Sequence, residues 1–233
     1  MTGQNINTES FSSLARTAGW LYLIIIVCGI GSEVFIRSSL IVDGDAAATA
    51  SNIVASDSLF RLGFVADSIM LLSDVAIAVL FYVLLKPVSN TLALMAAAFR
   101  LTQASILGFN LLNYYAAALL LNGSVYVGGF ETAQLNAMAS LFLELHSHGY
   151  DLGLLFFGLS NLILGYLVIK ADYFPSLLGY GLIAAAVVYL AGSFTRFAFP
   201  DYASMMEPVY VIPLIAELGF AIYLLVKGVK NQS

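Results

Sequence analysis

The chain has 233 residues, of which 61% are hydrophobic and only 10% charged, and its formal net charge is −5. Soluble domains carry about a quarter charged residues, so a soluble fold is excluded, and the acidic balance argues against nucleic acid, which selects basic patches. The one cysteine, Cys28, excludes an intramolecular disulfide and a cysteine-based metal cluster.

Polar residues fill Thr2–Ser13, and no small-residue cleavage site follows a short apolar stretch. The first span is therefore expected to stay as an anchor and not to be removed as a signal peptide. A span needs about 20 apolar residues to cross the hydrocarbon core. Six are predicted, near Thr17–Ile36, Leu59–Leu85, Leu92–Leu121, Gly149–Ile169, Leu177–Phe199 and Val209–Val226. Lys86-Pro87, Asn122-Gly123, Pro175 and Pro200 separate them. The reading is an all-α membrane protein: a six-transmembrane-helix bundle with short outer-face helices, residues 1–233 forming a single polytopic domain.

Two connecting segments have patterns of their own. Asp43–Ser58 is rich in Ala and Ser and suits a short surface helix capped by Asp45. Glu131–Ser147 places Leu135, Met138, Leu141, Phe142 and Leu145 at amphipathic spacing. Joined to the fourth span it would approach 60 Å at 1.5 Å per residue, so a break or bend is expected near Gly149. Gly149, Gly153, Gly158 and Gly165 read as close-packing positions. Pro213, one turn before Glu217, predicts a kink in the sixth span.

Six spans put both termini on one side. That side carries Arg16, Lys86, Lys170, Lys227 and Lys230. The other carries Arg37, Arg196 and, at its boundary, Arg61, together with Asp43, Asp45, Asp57, Glu131, Asp201 and Glu207. The Lys/Arg bias of short loops then places both termini in the cytoplasm, with the protein in the cell (inner) membrane. Its first partner is the lipid bilayer.

Charge returns at a few deep positions. Asp67 and Asp74 are two helical turns apart and share a face. Asp74 lies eleven residues before Leu85, roughly 16 Å deep at 1.5 Å per residue. Arg100 reaches a similar depth from Pro87, and Glu217 from Lys227. An ionisable group in mid-span costs roughly 2.5–3.5 kcal/mol on insertion scales, so Arg100 needs an anion. Asp74 is its expected first partner and Glu217 the second. The third span carries a polar set, Arg100, Gln103, Asn110, Asn113 and Tyr114, of which Arg100, Gln103 and Asn110 follow one stripe, read equally as helix-to-helix hydrogen bonding or cavity wall. Glu144, His148 and Asp151 stand at i, i+4 and i+7 on one face, while His146 points elsewhere. Three readings fit the trio: metal ligands completed by carboxylates such as Asp67 or Glu33, proton transfer or polar substrate contact, and interfacial anchoring or helix capping; with two histidines in the chain the last leads and no metal site is assigned. The residues name no cofactor. HExxH, GxSxG and P-loop motifs are absent.

Leu-Phe-Tyr-Val-Leu-Leu-Lys-Pro-Val (80–88) leads to Ala-Ala-Ala-Phe-Arg-Leu (96–101). His-Gly-Tyr (148–150) is followed by Leu-Phe-Phe-Gly (155–158), Leu-Gly-Tyr-Leu-Val-Ile-Lys (164–170) and Tyr-Phe-Pro-Ser-Leu-Leu-Gly (173–179). Ile-Ala-Glu-Leu (215–218) precedes Leu-Leu-Val-Lys-Gly (224–228). In order and over nearly the whole chain, these blocks resemble the bacterial and archaeal membrane family catalogued as domain of unknown function 4386. The resemblance implies a small multi-span membrane protein and brings no activity with it. Arg100, His148 and Glu217 fall inside the matching blocks.

The leading expectation is a polar intramembrane pocket, open toward the outer leaflet, that binds an amphipathic or lipid-like small molecule. Its candidate residues are Asp67, Asp74, Arg100, Gln103, Asn110, His148, Asp151 and Glu217. The alternatives are a proton-coupled transporter or sensor using Asp74 and Glu217 beside Arg100, and a structural subunit whose ion network only fixes helix order.

Overall fold

Long apolar runs broken by Pro, Gly and Asn leave the chain one way to satisfy its backbone in lipid, which is the helix. The structure, a computed structural model, describes residues 8–123 and 128–229. Residues 1–7, part of the polar leader, and Lys230 of the charge bias lie outside the described residues. The described residues fold as α1 (Thr8–Gly31), α2 (Ser38–Leu40), α3 (Ala46–Ala55), α4 (Asp57–Leu85), α5 (Asn90–Leu121), α6 (Thr132–Lys170), α7 (Ser176–Ala198) and α8 (Val211–Lys227). A π-helical stretch, Ser32–Arg37, joins α1 to α2, and a 3₁₀ segment, Pro200–Tyr210, joins α7 to α8.

Among the described residues, six continuous helical stretches are long and apolar enough to cross a membrane: Phe11–Leu40, Asp57–Leu85, Asn90–Leu121, Thr132–Lys170, Ser176–Ala198 and Pro200–Lys227. They match the six predicted spans, and the protein is a multi-pass membrane protein. Its apolar side chains face outward where a soluble protein would show charge: Phe109 is 76% exposed and Leu177 77%. Asp45 caps α3 as its position suggests, accepting from the Ala48 amide at 2.9 Å.

Three expectations need correction. α6 has no break at Gly149; it is one helix of 39 residues, about 58 Å long. Gly149 serves close packing instead, because a Cβ there would overlap the Asn110 side chain, with Nδ2 at 2.7 Å. Pro213 does not interrupt the α-helix as expected: the span changes from 3₁₀ to α at Val211, so Pro213 lies in the first turn of α8, a position where proline is tolerated. Arg37 is no loop residue; the first span continues past Ile36 to Leu40 and buries it.

The chain divides into two compact units. Unit 1 comprises the described parts of residues 1–24, 73–104 and 153–233. Its interior is aromatic, with Phe81 and Phe220 ring centroids 5.7 Å apart and Tyr22 edge-on to both. α6 and α7 touch backbone to backbone, since a Cβ on Gly165 would sit 2.7 Å from the Gly179 carbonyl oxygen. Tyr173, in the α6–α7 turn, donates to the Leu84 carbonyl at 2.7 Å, and burial pushes its hydroxyl up to about 12. Unit 2 comprises Ile25–Leu72 and Ser105–Leu152. Its core gathers Ile36, Ile53, Phe60, Leu111, Tyr114 and Leu143. Phe60 and Tyr114 stack with centroids 4.1 Å apart, and the Tyr114 hydroxyl donates to the Phe60 carbonyl at 2.9 Å.

Candidate functional site

In unit 1, Arg100 and Gln103 stand one turn apart on α5, so both reach one carboxylate on α4. Arg100 Nε donates to Asp74 Oδ1 at 2.8 Å, and Gln103 Nε2 donates to Asp74 Oδ2 at 3.1 Å. Arg100 Nη2 lies 2.6 Å from the same Oδ1, yet it is too poorly aligned to count as a hydrogen bond. The ion pair expected from depth alone is therefore present, and Arg100 is only 1% exposed. Three rings wrap the guanidinium carbon, Phe157 at 4.8 Å, Tyr22 at 5.3 Å and Phe81 at 5.8 Å. Such cation–π contacts replace part of the lost hydration, each contributing up to about 2 kcal/mol when desolvated.

Glu217 on α8 does not hydrogen-bond Arg100. Its Oε1 accepts from Asn161 Nδ2 at 2.7 Å and its Oε2 from the Tyr189 hydroxyl at 3.2 Å. Asp74 and Glu217 are nonetheless the two acids whose charges act on Arg100. Several buried polar atoms here have no hydrogen-bond partner: Arg100 Nη1 and Nη2, Gln103 Oε1, Asn161 Oδ1 and the Tyr22 hydroxyl. The Tyr22 ring stacks under the guanidinium, with its centroid 5.3 Å from the carbon, while its hydroxyl has no hydrogen-bond partner. A cavity lined by Arg100 and Ser160, with Ala78, Ala93, Ala96 and Ala97, has about 10 Å³ of room for the centre of a water molecule. That is the scale of one water and far short of an acyl chain.

In unit 2 the widened π turn brings Ser32 and Glu33 onto the same side as Arg37. Arg37 Nε donates to Glu33 Oε2 at 2.6 Å, and Nη1 donates to Asp67 Oδ2 at 2.6 Å and to Ser32 Oγ at 2.9 Å. Asn110 clamps His146: its Nδ2 donates to the His146 carbonyl at 2.7 Å, and His146 Nδ1 lies 3.2 Å from the Asn110 carbonyl. Tyr114 packs on the imidazole with centroids 5.3 Å apart. Asp67 Oδ1 and His146 Nε2 are buried without a partner.

The eight candidate residues thus fall into different settings. Asp74, Arg100, Gln103 and Glu217 come together in unit 1. Asp67 and Asn110 belong to unit 2, Asp67 with Arg37 and Asn110 with His146. Asp151 is buried, while His148 is on the exposed side of α6 against Glu144, its Nδ1 3.2 Å from Oε1. Among the described residues, no three His, Cys, Asp or Glu side chains are placed to hold a metal ion.

Sequence reasoning passed over Arg37, His146, Asn161, Tyr22 and Tyr189. Two signals were there to find. Asn161 is an amide inside an apolar run, the same anomaly that singled out Gln103. The stripe Ala139, Leu143, His146 at i, i+4, i+7 is the buried face of α6, whereas the chosen stripe through Glu144 and His148 faces out.

Residues 17–228 match the family model described as "Domain of unknown function (DUF4386)". The chain belongs to this family. The family assignment covers both buried clusters. An "Uncharacterized protein" of Archaeoglobus fulgidus is 29% identical over 162 residues, which is 70% of this chain and 81% of the archaeal protein. No solved structure matches the chain significantly.

Proposed function

We propose that this family member is a proton-responsive protein of the cell (inner) membrane, with both termini cytoplasmic, in which Glu217 takes up and releases a proton beside the Asp74–Arg100 pair. The observation that carries the reading is a charge count: one buried cation, Arg100, acts with two buried acids, and its hydrogen-bonded partner is Asp74. Glu217 receives only neutral donors, Asn161 and Tyr189. When Glu217 is ionised the site carries one uncompensated negative charge, which costs free energy at low dielectric. When it is protonated the site is neutral. Proton occupancy at Glu217 thus changes the charge inside the membrane by one unit, which is what a proton-coupled transporter or a membrane sensor requires.

The test is infrared difference spectroscopy of the protein in nanodiscs across a pH titration. A titrating carboxyl band is expected in wild type and absent in Glu217→Gln. A band that survives that substitution overturns the assignment.

A second reading is supported by Arg100 Nη1, which has no hydrogen-bond partner beside the small cavity. There an amphipathic or lipid-like molecule would place an acceptor oxygen on the guanidinium, its tail passing between helices that must part to admit it. Native mass spectrometry tests it: a co-purified ligand in wild type and its loss in Arg100→Gln are expected, and an empty wild-type protein argues against it.

A further inference from the structure

At one end of unit 2, α4 begins where α5 ends, and one carboxylate ties the two together. Asp57, the first residue of α4, accepts from Arg61 Nε at 2.7 Å through Oδ2 and from Asn122 Nδ2 at 3.0 Å through Oδ1. Arg61 and Asn122 are thus held on the two oxygens of one group. Beside them opens a cavity of about 140 Å³, lined by Arg61, Tyr115, Ala118, Leu119 and Asn122. The cavity next to Arg100 has about 10 Å³.

The polar lining is rich in donors. Arg61 bonds Asp57 through Nε, which leaves the two terminal nitrogens of its fork for another acceptor. Asn122 Nδ2 has a second hydrogen, and Tyr115 brings a hydroxyl. Asp57 itself is outside the lining. Donors around a guanidinium call for an oxyanion, and the planar fork matches paired phosphate oxygens.

The level of the cavity says which phosphate. α4 has 29 residues and α5 has 32, so they are about 43 and 48 Å long, against about 30 Å of hydrocarbon. Centred on the core, they overhang it by about 7 and 9 Å at each end. Arg61, four residues into α4, and Tyr115, six residues before the end of α5, therefore both reach the hydrocarbon boundary. Asn122 lies two turns farther out than Tyr115. Toward the core, Val65 one turn past Arg61 and Leu112 one turn before Tyr115 are apolar and exposed. The donors thus stand in the headgroup layer, above an apolar track.

We infer that this cavity holds the phosphodiester of a membrane glycerophospholipid. Arg61 and Asn122 donate to its oxygens, and an acyl chain runs along Val65 and Leu112. The site shares no residue with the Glu217 cluster and does not rest on the proton reading.

Native mass spectrometry of detergent-released protein tests it with two added lipids. Dioleoylphosphatidylglycerol has the phosphodiester; dioleoylglycerol has the same chains without it. Wild type is expected to retain the first and not the second. Arg61→Gln should need about ten times as much phosphatidylglycerol for the same occupancy, the loss of one charge-assisted contact. Asn122→Leu leaves the Arg61–Asp57 pair in place and should lower occupancy too, which decides the matter if Arg61→Gln fails to fold. Arg196→Gln, near the end of α7 in unit 1, should retain the lipid like wild type. At matched ionic strength, inorganic phosphate should displace no more lipid than chloride does. Equal retention of the two lipids, equal losses in Arg61→Gln and Arg196→Gln, or no phosphatidylglycerol on wild type overturns the inference. Displacement by inorganic phosphate but not by chloride would make this a site for a free anion and overturns it as well.

Discussion

Each unit buries one arginine against one aspartate of α4, and the two arginines are dressed differently. Arg100 in unit 1 has one well-formed ionic bond, a second, poorly aligned contact from Nη2 to the same oxygen, three aromatic faces and an Nη1 without a hydrogen-bond partner. Arg37 in unit 2 spends Nε and Nη1 on Glu33, Asp67 and Ser32 and touches the exposed side through Glu33. The same residue type is thus held by polarisable rings in one place and by oxygen ligands in the other. The ring-held arginine leaves its second acid, Glu217, to neutral donors. The oxygen-held arginine leaves its aspartate with a spare lone pair. Buried charge in this protein is paired but not saturated, and the unsaturated atom differs between the units.

The largest test of this contrast removes one partner from each pair. Arg100→Leu and Asp67→Asn should each cost about 3–5 kcal/mol, the scale for leaving a buried charge uncompensated. Adding Asp74→Leu to Arg100→Leu should recover part of the loss, with a coupling of about 1 kcal/mol or more in a double-mutant cycle on detergent stability. Additive losses would mean that the Arg100–Asp74 bond carries no energy of its own. A middle-sized effect is expected at Gly149→Ala, which overpacks Asn110 and should cost about 1–3 kcal/mol. Gly108→Ala on α5 meets nothing within 4 Å and should cost nothing, so an equal loss at both glycines would remove the packing argument. Glu217→Gln keeps its shape, its oxygen still able to accept from Asn161 while its amide donates to the Tyr189 hydroxyl oxygen, so unfolding of the variant should change by about 1 kcal/mol or less while its titrating carboxyl signal disappears. Smallest of all, Glu33→Gln breaks an ion pair whose acid is mostly exposed, and chemical denaturation should register under about 1 kcal/mol. A large loss there would mean that Glu33 is part of the buried site and not merely its exposed end.

The six spans were legible because hydropathy and breakers act locally, and Asp45 announced the α3 cap by its position alone. The Asp74–Arg100 pair was legible too, because helical rise converts sequence distance into depth. Arg37 is hidden by a local irregularity: no hydropathy window reveals a π turn, and the apolar run reads as ending at Ile36, one residue before it. His146 was hidden by phase, since two histidines two positions apart cannot share a face and the sequence offered no partner to choose between them. Asn110, thirty-six positions away, makes that choice. Gly149 shows the reverse error. A glycine in a long helix reads as a weak point, yet here the missing side chain is the space that another helix fills.

The π-helical stretch Ser32–Arg37 also bears on how this protein can vary. A π turn holds one residue more than an α turn, so it is a stored insertion in an otherwise regular helix. Deleting one residue there would return the turn to α geometry and leave the span long enough to cross, with Arg37 on nearly the same face, because the wider turn already absorbs the extra residue. In relatives of this chain, a one-residue gap across this stretch is therefore expected to leave the arginine and the acid at the Asp67 position in place together.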